Sequence, residues 1–145
     1  MVDAELTVTD VHDEAAVAEL RQRIIAFNIA VTGYDDGRSL SCFLRDDDGA
    51  MYAGLDGFTW GGYAMIEWLW VAEGARREGL GRKLVRAAER EAETRGCTVV
   101  RVNTHTFQAP EFYRKLQYEE IGRAHDAPSG YGEVFFTKRL LPPDR

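Results

Sequence analysis

The stretch that most restricts what this chain can become runs from Tyr63 to Thr104. It reads as apolar run, glycine turn, helical repeat and second apolar run. "YAMIEWLWV" is the longest and most aromatic strand candidate. From Gly79 onward Leu80, Leu84, Ala88 and Ala92 recur at four-residue steps, the mark of one helix face. Gly96 ends that helix and "TVVRVNT" supplies another strand. A strand, a helix and a strand of this length make a parallel crossover unit, since parallel neighbours cannot be joined by a tight hairpin.

The flanking segments extend the sheet. "SLSCFLR" and "AMYAGLDGFTW" stand on either side of "DDDG", which suits a tight reversal and so predicts an antiparallel hairpin. Gly61 and Gly62 make the next turn. Upstream, Val17, Leu20, Ile24, Phe27 and Val31 form a helix face, with Asp13 as N-cap and Gly33 where the helix stops. "ELTVTD" alternates and predicts a strand before it. Downstream, "APEFYRKL" is a short helix with Pro110 in its first turn, and "GEVFFTKRL" a last strand. The predicted architecture is α/β, a mixed sheet with helices on its faces rather than an alternating β/α wheel. The 145 residues are expected to form a single domain, with a loose tail over 143–145.

Charge removes some classes of function. A net charge of −6 disfavours non-specific nucleic-acid binding and is compatible with cationic substrates. Cys42 and Cys97 form no paired motif and fall in apolar stretches, as buried reduced thiols do. No metal site is expected. The N-terminus lacks a signal-peptide core, and "YAMIEWLWVA" is too short to span a bilayer and contains Glu67. The expected location is the cytoplasm.

Against this acidic balance, "WVAEGARREGLGRKLV" gathers positive charge around a glycine turn. A strand feeding a helix through glycines leaves the first helical N–H groups unpaired, and with the helix dipole they form an anion site. Gly79 and Gly81 let the backbone approach phosphate oxygens, while Arg76, Arg77 and Arg82 add planar cationic forks. Glu78 is tolerable there only if it faces away. The turn is not a P-loop: Gly74 and Gly79 have the spacing, but Leu80 stands where lysine is required. Nor is it a dinucleotide fingerprint, because Leu84 replaces the third glycine. On this segment alone, a glycine turn carrying solvated arginines remains open.

The chain resembles the GNAT superfamily of acyl-CoA-dependent N-acyltransferases. The family signature (glutamine or arginine, two residues, glycine, one residue, glycine or alanine) is matched by Arg76, Gly79 and Gly81, with Val71 closing the strand ahead of it. A second signature is matched in part by Ala109, Phe112, Tyr113, Lys115 and Tyr118. The resemblance covers nearly the whole chain, including the strand order. Two positions depart from it. Many relatives carry asparagine where Thr106 stands, so Thr106 or Gln108 takes that contact, and Gln117 replaces the glycine before Tyr118.

The resemblance implies acetyl-CoA as acyl donor, its diphosphate on the turn from Arg76 through Arg77, Glu78, Gly79, Leu80 and Gly81 to Arg82. It also implies a central strand that bulges and splays from its neighbour, so that Leu69, Trp70 and Val71 pair with the pantetheine arm. An N–H near Leu69 or Trp70 would polarise the thioester carbonyl. Tyr113 is the expected acid for the leaving thiolate. A fully buried central strand is the competing reading of "WLWV". For the base, Glu67 leads, since a carboxylate among Trp68 and Leu69 would be desolvated and its pKa raised; His105 and His125 follow. The acceptor, a primary amine of a small molecule or of a peptide, is expected near Asn28, Trp60, Glu67, Trp68 and Tyr131, with Tyr34, Asp35 and Asp36 close by. Direct transfer in a ternary complex is expected, because neither cysteine stands where a covalent relay would need it. A silent CoA-binding module is the alternative, and a homodimer is possible.

Overall fold

The computed structural model describes residues 5–140. Its elements are α1 (Glu14–Thr32), β1 (Arg38–Arg45), β2 (Met51–Trp60), β3 (Tyr63–Val71), a 3-10 turn (Glu73–Ala75), α2 (Leu80–Thr94), β4 (Val99–His105), α3 (Pro110–Lys115), β5 (Glu119–His125) and β6 (Gly132–Arg139). The chain divides into two compact units with the boundary between Asp35 and Asp36.

The first unit holds α1. Asp13 caps it by accepting from the Ala16 amide at 2.9 Å, and Gly33 ends it in the left-handed region with φ of 75°. The strand expected over Glu5–Asp10 is not there: the segment joins no sheet, and Leu6 and Val8 are each 90% exposed. Alternation alone does not make a strand when no partner edge takes its hydrogen bonds. The expected tail over 143–145 lies outside the described residues.

In the second unit six strands form one mixed sheet in the order β1-β2-β3-β4-β6-β5. β1 and β2 pair antiparallel across the aspartate-rich turn, where Asp46 Oδ1 accepts from the amides of Asp48 and Ala50, both at 2.9 Å. β2 and β3 pair through the two-glycine turn, β3 and β4 run parallel across the α2 crossover, and β5 and β6 close the sheet antiparallel. The core lies between this sheet and α2. Leu84, Val85, Ala88 and Ala92 of the helix meet Leu55, Ile66, Val100, Val102, Val134 and Phe136 of the strands, all buried. Fully burying side chains of this size stabilises by roughly 1.5–3 kcal/mol each against exposure. One charged residue shares the buried face of α2, Glu89.

α3 begins on Pro110 and ends in a left-handed residue, Gln117, with φ of 73°. The Tyr118 amide bonds back to the Tyr113 carbonyl at 3.0 Å and the Gln117 amide to the Arg114 carbonyl at 3.0 Å, the paired bonds of a Schellman cap. The turn thus keeps the geometry that glycine would give it, at the cost of a side chain in an unfavourable region. Gln117→Gly is expected to stabilise by roughly 0.5–1 kcal/mol, the relief of strain exceeding the entropy lost. Thermal unfolding checks it; an unchanged or lower Tm would mean that the Gln117 side chain contributes contacts that offset its strain.

Candidate active site

β3 and β4 are partners only over Tyr63–Ile66 and Val99–Val102. At the next residue β3 bulges: Asp56 faces Trp68 and Gly57 faces Ile66, so Glu67 is the extra residue opposite β2. Beyond it β3 keeps its pairing with β2 as far as Val71, while Asn103–His105 of β4 pair only with β6. The two parallel strands therefore part at their C-terminal ends, and the backbone groups of β3 that faced β4 are released. This disposes of the fully buried strand. Leu69 and Val71 pack against the core, but Trp68 is 73% and Trp70 50% exposed.

The gap opens into a cavity of about 910 Å³, near the upper end of the roughly 300–1,000 Å³ usual for small-molecule sites. Its walls are the splayed part of β3, the end of β4, the glycine–arginine turn and the start of α3. At the turn, Arg77 and Gly79 are both left-handed, with φ of 72° and 76°. No side chain caps α2 and no acidic residue lies in its first turn. The amides of Leu80, Gly81 and Arg82 have no hydrogen-bond partner among the described residues; the first bond of the helix runs from the Lys83 amide to the Gly79 carbonyl. An anion would find three N–H groups and the positive end of a helix dipole here. Arg76 folds back, its Nε donating to the Val71 carbonyl at 3.1 Å, which ties the turn to the end of β3. A Cβ on Gly81 would lie 3.2 Å from Phe112, so that glycine also makes room for α3.

Of the expected site residues, Glu67, Trp68, Leu69, Trp70 and Val71 line the cavity from β3. Arg76, Arg77, Gly79, Leu80, Gly81 and Arg82 line it from the turn, and Gln108 from the loop before α3. Glu78 is exposed and not part of the lining, so its charge stays out of the amide cradle. Gln108, not Thr106, reaches the cavity. Its Oε1 accepts from the His105 amide at 2.8 Å and the Thr104 hydroxyl at 3.3 Å, which leaves its NH2 for a ligand. Thr106 is engaged elsewhere, bonding in both directions with Gly132.

The other expected residues have surroundings that differ from those expected. Glu67 is exposed on the bulge rather than buried between its apolar neighbours. Tyr113 is 5% exposed and belongs to the core, its ring against Phe112, Tyr118 and Phe136; it is Phe112 that lines the cavity. Burial pushes the Tyr113 phenol up to about 12. Among the described residues its hydroxyl makes no hydrogen bond and no fully buried polar side-chain atom lacks a partner, so the oxygen is not fully buried.

Of the residues expected for the acceptor in the second unit, only Glu67 and Trp68 line the cavity. Trp60 stands at the β2–β3 turn, beside Tyr63, where the Gly61 amide bonds Asp36 at 2.9 Å, and is not part of the lining. Tyr131 packs edge-on to Phe107, outside the lining, as is His125. Asn28 belongs to α1 in the other unit, its carbonyl accepting from the Thr32 hydroxyl. His105 and Glu133, paired in register across β4 and β6, both line the cavity. Only His105 had a sequence signal; nothing local marks Glu133.

A domain described as Acetyltransferase (GNAT) matches residues 12–120. The chain belongs to the GNAT acetyltransferase family. An acetyltransferase of Agrobacterium fabrum is 33% identical over 133 residues, covering 92% of this chain and 97% of that one. Blasticidin-S acetyltransferase of Streptomyces morookaense is 37% identical over 93 residues, 63% of this chain and 68% of its own. A crystal structure of an Agrobacterium tumefaciens protein assigned as an acetyltransferase superposes with a TM-score of 0.89 at 31% identity, covering 94% of this chain and all of that one. The acyl donor of GNAT acetyltransferases is acetyl-CoA, and the enzyme class is acyltransferase. Among the described residues no helix is long and apolar enough to cross a membrane, and no group of three or more acidic, histidine or cysteine side chains is placed to hold a metal ion.

Proposed function

We propose that this GNAT protein, working as one domain, moves an acetyl group from acetyl-CoA to a primary amine of a small molecule, by direct transfer in a ternary complex. One observation carries the reading: the acid-free amide cradle of α2 and the released edge of β3 open into a single cavity that Glu67 and His105 also line. The residues present fit acetyl-CoA. The amides of Leu80, Gly81 and Arg82, with the guanidinium groups of Arg76, Arg77 and Arg82, hold the diphosphate. The free groups of Leu69–Val71 pair with the extended arm, and an amide near Leu69 or Trp70 faces the developing oxyanion. When bound, acetyl-CoA supplies an activated acyl carbon and a thiolate leaving group.

Tyr113, kept protonated by burial, passes a proton toward the departing sulfur; ligand-free geometry is no bar to that role. Glu67, exposed at the bulge, receives the acceptor's ammonium. Direct transfer is supported by the thiols: Cys42 and Cys97 are unpaired, burial raises both, and neither lines the cavity. A small-molecule acceptor is supported by the relative named for blasticidin S.

Release of free thiol from acetyl-CoA across a panel of amines tests the reading. Micromolar CoA binding with no release for any amine would make the protein a binding module instead. Arg76→Ala is expected to weaken CoA about tenfold and to leave dephosphorylated pantetheine within twofold, since each charge-assisted bond contributes about 1.5–3 kcal/mol. Calorimetric titration of both ligands checks it. An equal loss for both would assign Arg76 to its bond with the Val71 carbonyl and to folding alone.

A further inference from the structure

We propose that His105 is the base that takes the proton from the acceptor's ammonium, held in its working tautomer by the carbonyl of Ala127. The inference rests on the acetyl-transfer reading and supplies a part that reading lacks, because that reading gives the exposed carboxylate of Glu67 to binding the cation and assigns no base. His105 ends β4 three residues beyond the last residue paired with β3, on the wall of the cavity formed by the parting strands. Its Nδ1 lies 3.1 Å from the Ala127 oxygen. A carbonyl can only accept, so Nδ1 carries the hydrogen, and the lone pair of the neutral ring is on Nε2. Nε2 has no partner among the described residues. The ring is stacked on Phe107 with centroids 5.2 Å apart and planes 4° from parallel, and the His105 amide is fixed by Gln108. One edge, one face and the backbone are thus immobilised, and the unshared edge is the basic one.

Charged side chains lie on the elements around His105. Glu133 faces His105 in register from β6, Glu67 lines the same cavity from β3, and Asp126 precedes Ala127 in the β5–β6 loop. Arg101 lies further back along β4, and Arg76, Arg77 and Arg82 line the turn. In the step, Nε2 takes one of the ammonium's three protons and later releases it to solvent. The freed nitrogen pair forms the C–N bond, and the C–S bond breaks with its electrons on sulfur. Tyr113 hands its proton to that sulfur and is reprotonated by the second nitrogen proton; the third stays on the amide. Ammonium and thioester become amide, thiol and one proton.

The comparison that tests this is His105→Asn, whose side-chain NH2 can still donate to Ala127 and so keeps the loop in place. With the panel amine that turns over fastest, kcat/KM is expected to fall about 100-fold, within the 10²–10⁴ range of general-base catalysis, while CoA affinity stays within twofold. With that amine's fluorinated analogue, whose nitrogen is already neutral at the assay pH, the loss is expected to shrink to about tenfold or less. Nitrogen-15 NMR of the wild-type ring is expected to report the Nδ1–H tautomer. Turnover by the asparagine variant within threefold of wild type, equal losses for both amines, or an Nε2–H tautomer would each overturn the proposal. No thiol release by the wild-type chain would overturn the transfer reading along with it, whereas release by wild type and variant alike overturns only the role of His105.

Discussion

Replacing Gly57 with alanine is expected to weaken CoA at least tenfold while leaving its nucleotide half bound within twofold. A Cβ at position 57 would stand 1.9 Å from the Met65 carbonyl oxygen, 3.0 Å from the Met65 carbonyl carbon and 3.2 Å from the Ile66 Cα. No side-chain rotation relieves such a contact, because all three atoms are backbone, so β3 must shift by about 1 Å or more to reach ordinary van der Waals separation. Gly57 is the partner of Ile66, and the register slips between it and Asp56 to make Glu67 the extra residue. The substitution therefore pushes on the segment where the bulge begins and after which β3 leaves β4. Either the ladder opens or the bulge is lost, and the released edge of β3 moves. Overpacking of this kind costs about 1–3 kcal/mol of stability, which thermal unfolding reads. The ligand comparison separates position from stability, since the amides of Leu80–Arg82 belong to α2 and not to the bulged strand. Equal weakening of CoA and its nucleotide half would mean a global effect, and no weakening of either would free the site from the bulge altogether.

That dependence on Gly57 shows where the sequence was legible and where it was not. The crossover from Tyr63 to His105 could be read because each signal is local: four-residue spacing along α2, glycines at a left-handed turn, a Pro110 that opens α3. The bulge has no local signal. It needs a missing side chain ten residues away on a different strand, and only the family resemblance pointed to it. The failed site assignments share a cause. Trp60 and Trp68 look equivalent in sequence, but the β2–β3 hairpin puts one at its turn and the other beside the cavity. Phe112 and Tyr113 are adjacent letters, and the turn of α3 decides which meets the cavity and which the core. The apolar neighbours of Glu67 imply a buried environment, but the slip in register carries it out of the alternating pattern that the neighbours follow. Gln117 shows the opposite: a letter that departs from the family pattern adopts the backbone the pattern requires.

Glu89→Leu is expected to destabilise the fold by about 3–5 kcal/mol, and adding Lys138→Met is expected to recover most of that loss. Glu89 is 4% exposed on the core face of α2. Its Oε1 accepts from Arg86 at 2.8 Å, and its Oε2 accepts from the Lys138 ammonium at 2.8 Å and the Tyr118 hydroxyl at 3.0 Å. Losing the carboxylate alone strands the Lys138 charge beside the Tyr118 ring, 5.4 Å from its centroid, and leaves the phenol without an acceptor. Losing both ends of the ion pair exchanges charges for apolar volume, which a core accepts. Denaturant unfolding of both single variants and the double variant measures the coupling; additive losses would show that Glu89 and Lys138 do not stabilise each other. Alkaline pH acts on the same cluster. Burial first, then the charge of Glu89 and its hydrogen bond, hold the Tyr118 phenol well above the usual tyrosine range, and burial raises Tyr113 to about 12. A raised phenol contributes stability that is complete below the unfolded value near 10 and lost as pH climbs through the folded value, so the wild-type protein is expected to weaken above pH ~10. Glu89→Leu removes two of the four causes that raise Tyr118, the others being burial and the neighbouring Tyr113, and should flatten that alkaline limb. The Tyr118 ring lies 5.7 Å from Tyr113 across the Schellman cap of α3, so the double variant carries a second readout. If the cluster serves only the fold, acetyl transfer returns with stability; if the Glu89–Tyr118 bond also fixes Tyr113, the double variant folds but turns over slowly.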